Sequence, residues 1–483
     1  MKRQSINRRQ FLRFAGAAVA GVALPGAVSG VLGDPKADAA KPNIILIFCD
    51  DLGYGDIGCF GAEKHHTPNL DRMAAEGRRF TSFYVSSGVC TPSRSSLMTG
   101  CYPRRVNMHQ NEDGVCVLFP VNKKGLHPNE ITLADVLKGQ GYATACIGKW
   151  HLGDQRPFLP TRQGFDYYFG IPYSNDMGGR QGPGRPPLPL LRNEEVIEAP
   201  AEQDTLTRRY TDEVIKFVRE NKDQPFFVYL PHTMPHNPVN ASAEFRDSSD
   251  NGRYGDAVEE IDWSAGQILA ALKALDLDDK TVVLFTSDNG AAQRWGGGNG
   301  PLRGWKGSTW EGGMREPCIV RWPGAIPAGS VCDEMASTMD LLPTFAALAG
   351  TTPPADRIID GKDIWPLMSG QAGAKSPHQA FYYYQMDQLQ AVRSGKWKLH
   401  LPLKPKKRHW GKPEPSAPLQ LFDLKADIGE QTNVADRHPD VVKRLLALAE
   451  KARADLGDTG RPGKNQRPAG FVENPKPLRM SAQ

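Results

Sequence analysis

The sequence lacks several features that would indicate a zinc-binding, nucleic-acid-binding or membrane-spanning protein. Its eight cysteines include no Cys-x-x-Cys pair, which argues against a zinc ribbon or a thioredoxin-like motif. Residues 1–39 carry +4 of the formal net charge of +5, so the rest of the chain is nearly neutral, at about +1. No nucleic-acid or membrane-surface partner is therefore expected. The chain has no visible internal repeat.

The first 39 residues have the composition of an export signal. The pair Arg8-Arg9 precedes a mild apolar stretch, residues 14–24, and Ala37-Asp38-Ala39 offers a small-x-small cleavage site. The apolar stretch is shorter than the roughly 20 residues that a membrane span needs, and no cysteine near the cleavage site could carry a lipid anchor. We expect a Tat-type signal, the Tat machinery as a partner, no stable membrane anchor, and a periplasmic or secreted protein.

Alternating strand and helix patterns predict an α/β fold. Four apolar runs are each followed by polar side chains, which is typical of strands buried on both faces. These predicted strands are residues 43–48, 142–147, 226–230 and 281–286. Helices are predicted over residues 132–140, 210–221, 257–277 and 337–349. This alternation predicts a large, mostly parallel sheet flanked by helices, with the polar clusters meeting at one edge.

The character of the chain changes near residue 380. Short strand patterns over residues 381–401 and 419–423, followed by a helical pattern over 439–456, predict a small C-terminal antiparallel sheet plus helix. We therefore predict a catalytic domain over residues 40–375 and a C-terminal subdomain over residues 376–460. The Pro-rich, basic tail of residues 461–483 is expected to be loosely ordered, and the Gly/Pro/Arg-rich segment 178–189 to be an exposed loop.

Two of the predicted strands end in pairs of oxygen-bearing side chains. Asp50-Asp51 follows the first strand, and Asp288-Asn289 follows the last. Either pair alone would usually be a turn or a helix cap. Together at strand ends they predict a divalent metal site, and four oxygen donors favour Ca²⁺, with Mg²⁺ the alternative, over zinc.

Two motifs carry a resemblance to a known family. The run Cys90-Thr91-Pro92-Ser93-Arg94 is followed by Ser-Ser-Leu-Met-Thr-Gly, and residues 141–151 read GYATACIGKWH. Both blocks resemble the signatures of the type I, formylglycine-dependent sulfatases. The resemblance covers residues 41 to about 456 and is nearest the arylsulfatase A and N-acetylgalactosamine-6-sulfatase branch. It implies an alkaline-phosphatase-like fold.

The resemblance also implies a nucleophile and its cofactors. Cys90 would be oxidised to formylglycine by a formylglycine-generating enzyme, a further expected partner. Asp50, Asp51, Asp288 and Asn289 would hold the metal together with an oxygen of the modified Cys90. A hydrated aldehyde can attack sulfur and then expel the sulfate by elimination, an exit that a serine ester lacks.

Further residues match family positions that bind sulfate or transfer protons. Arg94, Lys149 and Lys306 would neutralise negative charge. His151 would act as the base that helps to release sulfate, and His236, with Lys306, would protonate the leaving oxygen. Ser174 matches a sulfate-binding position, although a turn serine is an alternative. Three other histidines are not expected to take part in catalysis. We expect His232 to be a packing or supporting residue, and His65 and His66 to be surface or loop residues.

The sequence thus predicts a sulfuric ester hydrolase acting on sulfate monoesters, with sulfated carbohydrates as the expected natural substrates and aryl sulfates as artificial ones. One alternative is a formylglycine-dependent phosphonate monoester or phosphodiester hydrolase. An alternative of another class is a non-catalytic protein that binds sulfated glycans and keeps Cys90 unmodified. The sugar, the position of its sulfate and the oligomeric state are not predicted.

Overall fold

The computed structural model describes residues 41–179, 186–403 and 416–480. The predicted export signal and the middle of the predicted 178–189 loop lie outside these ranges. In the part of the chain that is described, no helix has the length and apolar character needed to cross a membrane.

A sheet of eleven strands forms the centre of the described structure. Its strands, in spatial order, are Ser330–Cys332, Arg78–Tyr84, Arg315–Arg321, Thr281–Ser287, Asn43–Cys49, Phe226–Pro231, Ala143–Ile147, Tyr167–Gly170, Leu190–Arg192 and Glu195–Glu198. The eleventh, Ala336–Ser337, also pairs with Arg78–Tyr84. The five strands from Thr281–Ser287 to Tyr167–Gly170 are parallel, and antiparallel pairs extend the sheet on both sides.

The central strand Asn43–Cys49 shows why this sheet needs helices on both faces. Its seven residues are all buried. Ile45, Ile47 and Cys49 belong to the core on one face, whereas Ile44, Leu46 and Phe48 belong to the core on the other. A run without a polar face is stable only between two covering layers, as the sequence predicted.

Helices cover both faces of the sheet. The α-helices are Pro68–Ala75, Cys90–Thr99, Leu133–Lys138, Leu206–Glu220, Gly252–Ala274, Glu311–Met314, Leu341–Leu348, Trp365–Met368 and Pro439–Asp455. The four predicted helices of the catalytic region are present, with shifted ends. Thr132 caps its helix through a reciprocal capping box with Asp135, which explains why the prediction placed this start correctly.

The C-terminal region forms the predicted small sheet. Strands Phe381–Gln385, Gln388–Ser394, Trp397–His400 and Gln420–Asp423 are antiparallel, and helix Pro439–Asp455 packs on them. Side chains from the large sheet region, such as Tyr84 and Met314, share its hydrophobic core. The two sheets are thus joined by apolar packing as well as by the chain.

The tail is attached rather than loosely ordered over residues 461–480. Gly470–Phe471 pairs with Lys124–Gly125 in a two-stranded ladder. Arg467 binds Glu130 through Nε at 2.7 Å and Nη2 at 3.0 Å. The expectation of loose order was wrong because these contacts join residues more than 300 positions apart, which local composition does not reveal.

Candidate functional site

The carboxyl ends of the parallel strands meet, as predicted, and bring the polar clusters together. Asp50 and Asp51 follow Asn43–Cys49, and Asp288 and Asn289 follow the neighbouring Thr281–Ser287. Cys90 is the first residue of the fully buried helix Cys90–Thr99. Residues more than 200 positions apart therefore face one another at one edge of the sheet.

Asp50, Asp51, Asp288 and Asn289, here called the carboxylate centre, are almost fully buried. Asn289 Nδ2 donates to Asp51 Oδ1 at 2.7 Å, and the Asp51 amide donates to Asp288 Oδ1 at 3.2 Å. Within the described residues, Asp50 Oδ1 and Asn289 Oδ1 have no hydrogen-bond partner. Buried polar atoms are rarely left without a partner, so these two oxygens are available to a ligand.

The spacing of the carboxylate centre fits a metal ion. Ligand atoms of Asp50, Cys90 and Asp288 lie within 4.8 Å of one another, and so do those of Asp50, Asp51 and His236. Burial, with the negative charge of Asp50, raises the pKa of Asp288 to about 7. Carboxylates that repel one another in a buried site are stabilised by a cation, and oxygen donors suit Ca²⁺ or Mg²⁺.

Arg94 is a fully buried cation beside the carboxylate centre. It donates to Asp288 Oδ2 from Nε at 3.0 Å and from Nη2 at 2.7 Å, and Nη2 lies 3.4 Å from Asp50 Oδ2. Its Nη1 donates to the carbonyl of Lys149 at 3.0 Å. Arg94 therefore fixes the positions of two carboxylates and of the segment that carries Lys149.

Two lysines contact different carboxylates of the same centre. Lys149 Nζ contacts the carboxylate of Asp50 and donates to Ser174 Oγ at 3.1 Å. Lys306 Nζ lies 2.7 Å from both carboxylate oxygens of Asp51. Burial would raise the pKa of Asp50, but Lys149 and Arg94 outweigh it and hold that pKa below its usual range.

His236 is oriented by its neighbours. Its Nδ1 lies 3.0 Å from Asn175 Oδ1 and 2.6 Å from the Asn237 carbonyl, both acceptors, so Nδ1 carries the proton. The opposite nitrogen, Nε2, lies 3.7 Å from Asp51 Oδ2 and faces the centre. Burial and the charge of Lys306 lower the pKa of His236.

His151 is a second buried histidine, with a left-handed backbone (φ 61°). Its Nε2 lies 2.9 Å from the Leu118 carbonyl, which accepts its proton, and its Nδ1 has no partner among the described residues. Burial and Lys149 hold its pKa well below the usual range, so the ring is neutral. Asp51 also has a left-handed backbone (φ 65°). Such geometry is uncommon for residues other than glycine and concentrates at functional sites.

The three histidines without an expected role lie apart from this group. His232 is fully buried and lies 3.5 Å from Ser264 Oγ. His66 is exposed, as predicted. His65 lies in a loop, which agrees with the expectation of a surface or loop residue, and it is buried, with Nε2 2.8 Å from the Asp56 carbonyl.

A groove of about 800 Å³ opens beside His236 and Asn175. About half of its lining consists of amide and carboxylate residues, and the other half of Gly, Pro, Ala and Leu. The lining includes Asn175, Gln203, Asn237, Asn240, Glu202 and Asp204. Such a surface offers many hydrogen-bonding groups to a ligand that carries hydroxyls.

Asn175 is a site residue that the sequence did not reveal. It follows Ser174, but its contact with His236 Nδ1 joins positions 61 residues apart. Its Nδ2 also donates to the Pro238 carbonyl at 3.1 Å. Only its position next to Ser174 could have drawn attention to it.

Comparisons of the sequence agree with this geometry. The family profile described as "Sulfatase" matches residues 42–351, and one described as "N-sulphoglucosamine sulphohydrolase, C-terminal" matches residues 304–454. A profile of the twin-arginine translocation signal matches residues 5–25, so the protein is exported to the periplasm or beyond.

Individual relatives cover most of the chain. It is 40% identical to arylsulfatase A of Homo sapiens, over 88% of this chain and 90% of that protein. It is 42% identical to N-acetylgalactosamine-6-sulfatase of Canis lupus familiaris, over 78% of this chain and 74% of that protein. A chain solved in work on glycosaminoglycan metabolism by Bacteroides thetaiotaomicron superimposes with a TM-score of 0.76 at 30% identity, covering 86% of this chain and 100% of that one.

Proposed function

Because the chain belongs to the sulfatase family and is a sulfuric ester hydrolase, we propose that it hydrolyses sulfate monoesters of carbohydrates with a nucleophile made from Cys90 and a bound divalent metal. Its fold is the alkaline-phosphatase-like fold expected from the resemblance, although the large sheet is mixed at its sides. The observation that carries the proposal is the carboxylate centre, with Cys90 and three cations around it.

The carboxylate centre is suited to hold the metal. Asp50, Asp51, Asp288 and Asn289 supply hard oxygen donors, of which Asp50 Oδ1 and Asn289 Oδ1 lack other partners within the described residues. We assign Ca²⁺, with Mg²⁺ as the alternative. A bound divalent cation would supply charge stabilisation and a lowered pKa for an oxygen nucleophile beside it.

Cys90 in its encoded form is a poor nucleophile. Burial raises the pKa of its thiol to about 11, so the thiolate is scarce near neutral pH. Conversion to formylglycine would replace the thiol with an aldehyde oxygen at the same position, within reach of Asp50 and Asp288. This conversion requires a formylglycine-generating enzyme as a partner.

Arg94, Lys149 and Ser174 form the side of the site that would hold the sulfate group. Lys149 Nζ donates a hydrogen bond to Ser174 Oγ at 3.1 Å, and the Lys149 ammonium is fully buried. A buried cation stabilises negative charge more strongly than an exposed one, because little water competes with it. Arg94 holds Asp288 and the backbone of Lys149 in place for this task.

The histidines and Lys306 would move protons. His151 is neutral and presents a nitrogen without a partner, as a base requires. His236 Nε2 and Lys306 Nζ both face Asp51, where the leaving alcohol would take up a proton. We assign proton donation to the leaving oxygen to Lys306 and His236 together: the Lys306 ammonium holds a proton at neutral pH, and His236 donates from Nε2 only in its doubly protonated form.

The groove beside His236 supports a carbohydrate as the alcohol part of the substrate. Its amide and carboxylate side chains, which make up about half of the lining, can pair with the hydroxyl groups of a sugar. One relative is named N-acetylgalactosamine-6-sulfatase, and one similar structure comes from work on the metabolism of glycosaminoglycans, which agrees with this proposal.

The test is a rate comparison on 4-nitrophenyl sulfate, a 4-nitrophenyl phosphonate monoester, sugar sulfates and a steryl sulfate. The protein is co-produced with a formylglycine-generating enzyme, and peptide mass spectrometry confirms the modification. We expect turnover of the aryl sulfate and a higher kcat/KM for a sugar sulfate than for the steryl sulfate. Preference for the phosphonate would contradict the proposal. Sulfated-glycan binding without turnover would indicate a binding protein instead.

A further inference from the structure

The segment that carries Lys306 is held by the C-terminal sheet. Residues 302–313, here called the Lys306 loop, contain no strand. The short helix Glu311–Met314 begins near the C-terminal end of this loop. On the catalytic side, the Gly307 amide donates to the Gly88 carbonyl at 2.7 Å and the Lys306 amide to the Ala291 carbonyl at 3.1 Å. The Gly290 amide also donates to the Gly313 carbonyl at 3.3 Å, so the catalytic side holds the loop near both ends, whereas residues 309–311 contact the C-terminal region.

Three fully buried charged residues fix that part of the loop. Lys398 Nζ lies 2.9 Å from Glu311 Oε1 and 3.0 Å from Glu430 Oε1. The same Nζ donates to the Thr309 carbonyl at 2.8 Å, and the Glu311 amide donates to Glu430 Oε2 at 2.7 Å. Lys398 and Glu430 belong to the C-terminal region, so their charges contact the loop three to five residues from Lys306.

Additional contacts join the same two parts. Trp310 stacks on His400 of the small sheet, with ring centroids 4.1 Å apart. Arg303 Nη1 donates to the Glu430 carbonyl at 2.9 Å. The C-terminal sheet therefore contacts the Lys306 loop through both its backbone and its side chains.

We propose that Glu311, Lys398 and Glu430, here called the anchor network, position Lys306 for proton transfer to the leaving oxygen. They are positioning residues, since within the described residues no hydrogen bond or ion pair joins them to the carboxylate centre. A buried lysine between two buried carboxylates is stable only when its distances to both are kept short. Because Glu311 lies in the loop, this requirement holds the loop in one position. The inference rests on the proposed role of Lys306.

The test compares leaving groups. In Lys398→Met and Glu430→Gln, kcat on an alkyl or sugar sulfate should fall by at least about tenfold more than kcat on 4-nitrophenyl sulfate. The reason is that nitrophenolate leaves with little help from a proton donor, whereas an alkoxide needs one. Lys306→Ala should show the same discrimination, and combining it with Lys398→Met should add little further loss.

The matched control is Lys396→Met. Lys396 lies two residues before Lys398 and pairs with Asp423 on the same sheet, but its side chain is 48% exposed. We expect it to behave as wild type on both substrates. An equal loss on both substrates in Lys398→Met, or a fully additive double variant, would overturn the proposal.

A second measurement does not depend on turnover. Hydrogen exchange over residues 302–313 should be faster by at least about tenfold in Lys398→Met than in wild type, and unchanged over residues 43–49. If the Lys306 loop keeps wild-type exchange, the proposal is wrong. A wild-type protein that cleaves no sulfate ester would refute the proposed function, while the exchange measurement would still decide the role of the anchor network.

Glu430→Gln distinguishes the loss of the charge contact from a general loss of folding, because it keeps most of the local hydrogen bonds. The amide oxygen can still accept from the Glu311 amide, while the negative charge next to Lys398 is lost. Glu311 keeps Arg315 at 3.3 Å and the Tyr383 hydroxyl at 3.1 Å as partners. Thermal unfolding identifies variants that remain folded, and on these the leaving-group comparison is decisive.

Discussion

Arg94 binds one oxygen of Asp288 with two of its nitrogens, and both side chains are fully buried. Replacing Arg94 with Met leaves a buried carboxylate without its cation. We expect the free energy of unfolding to fall by about 3–5 kcal/mol and kcat by about 100-fold or more. Chemical denaturation and steady-state kinetics measure the two effects.

Arg94→Lys separates charge from geometry, because lysine keeps the charge but cannot donate from two fixed nitrogens. It should recover part of the stability and little of the activity. The control is Arg156→Lys, since Arg156 pairs with Glu194 but its side chain is 75% exposed. Full activity in Arg94→Lys would contradict the assigned role.

Removal of the metal should destabilise the protein. The carboxylate centre brings buried oxygens together, and a cation offsets their mutual repulsion. Free Ca²⁺ at about a hundredfold above its Kd should stabilise the fold by about 2.7 kcal/mol relative to chelated protein. Thermal unfolding in EDTA, with Ca²⁺ or Mg²⁺ added back, measures this. Asn289→Ala should weaken the response, and an unchanged Tm in EDTA would argue against the site.

Cys90→Ala should remove turnover with little change in stability. The loss of one small side chain from the first turn of a buried helix should cost about 1 kcal/mol. Cys332→Ala is the matched control, because Cys90 and Cys332 are both 3% exposed but Cys332 lies at the sheet edge. Residual turnover of aryl sulfate by Cys90→Ala would show that another group is the nucleophile.

His232 should make the fold sensitive to acid. Burial lowers the pKa of His232 to about 3, whereas the unfolded chain binds that proton near pH 6.5. The stabilising contribution is therefore present above about pH 6.5 and is lost as the pH falls toward 3. The difference in unfolding free energy between wild type and His232→Gln should shift by about 1.4 kcal/mol per pH unit in this window.

The central strands and the carboxylate centre could be predicted because their signals are local. Residues 43–49 form a continuous apolar run that ends at Asp50, and residues 281–287 repeat the pattern before Asp288. The parallel order of such strands then places their polar ends together. The meeting of Asp50, Asp51, Asp288 and Asn289 therefore follows from the sequence once this edge is recognised.

The side strands and the support of the site could not be predicted in the same way. Strand Arg78–Tyr84 is only partly apolar, and its pairing with Arg315–Arg321 depends on a partner far along the chain. The orientation of His236 by Asn175 and the pairing of Glu311 with Lys398 likewise depend on residues brought together by folding. Local periodicity contains no information on such pairs.

The attachment of the tail has a consequence for how the protein is made. Arg105, which follows the Cys90 helix, forms an ion pair with Asp455 at 2.6 Å, and its Nη1 donates to the Asn465 carbonyl. The Gly470–Phe471 strand pairs with Lys124–Gly125. These partners are synthesised long after Cys90, so the contacts that hold the segment following the Cys90 helix form late in synthesis. We expect any modification of Cys90 that needs an unfolded chain to take place before those contacts form.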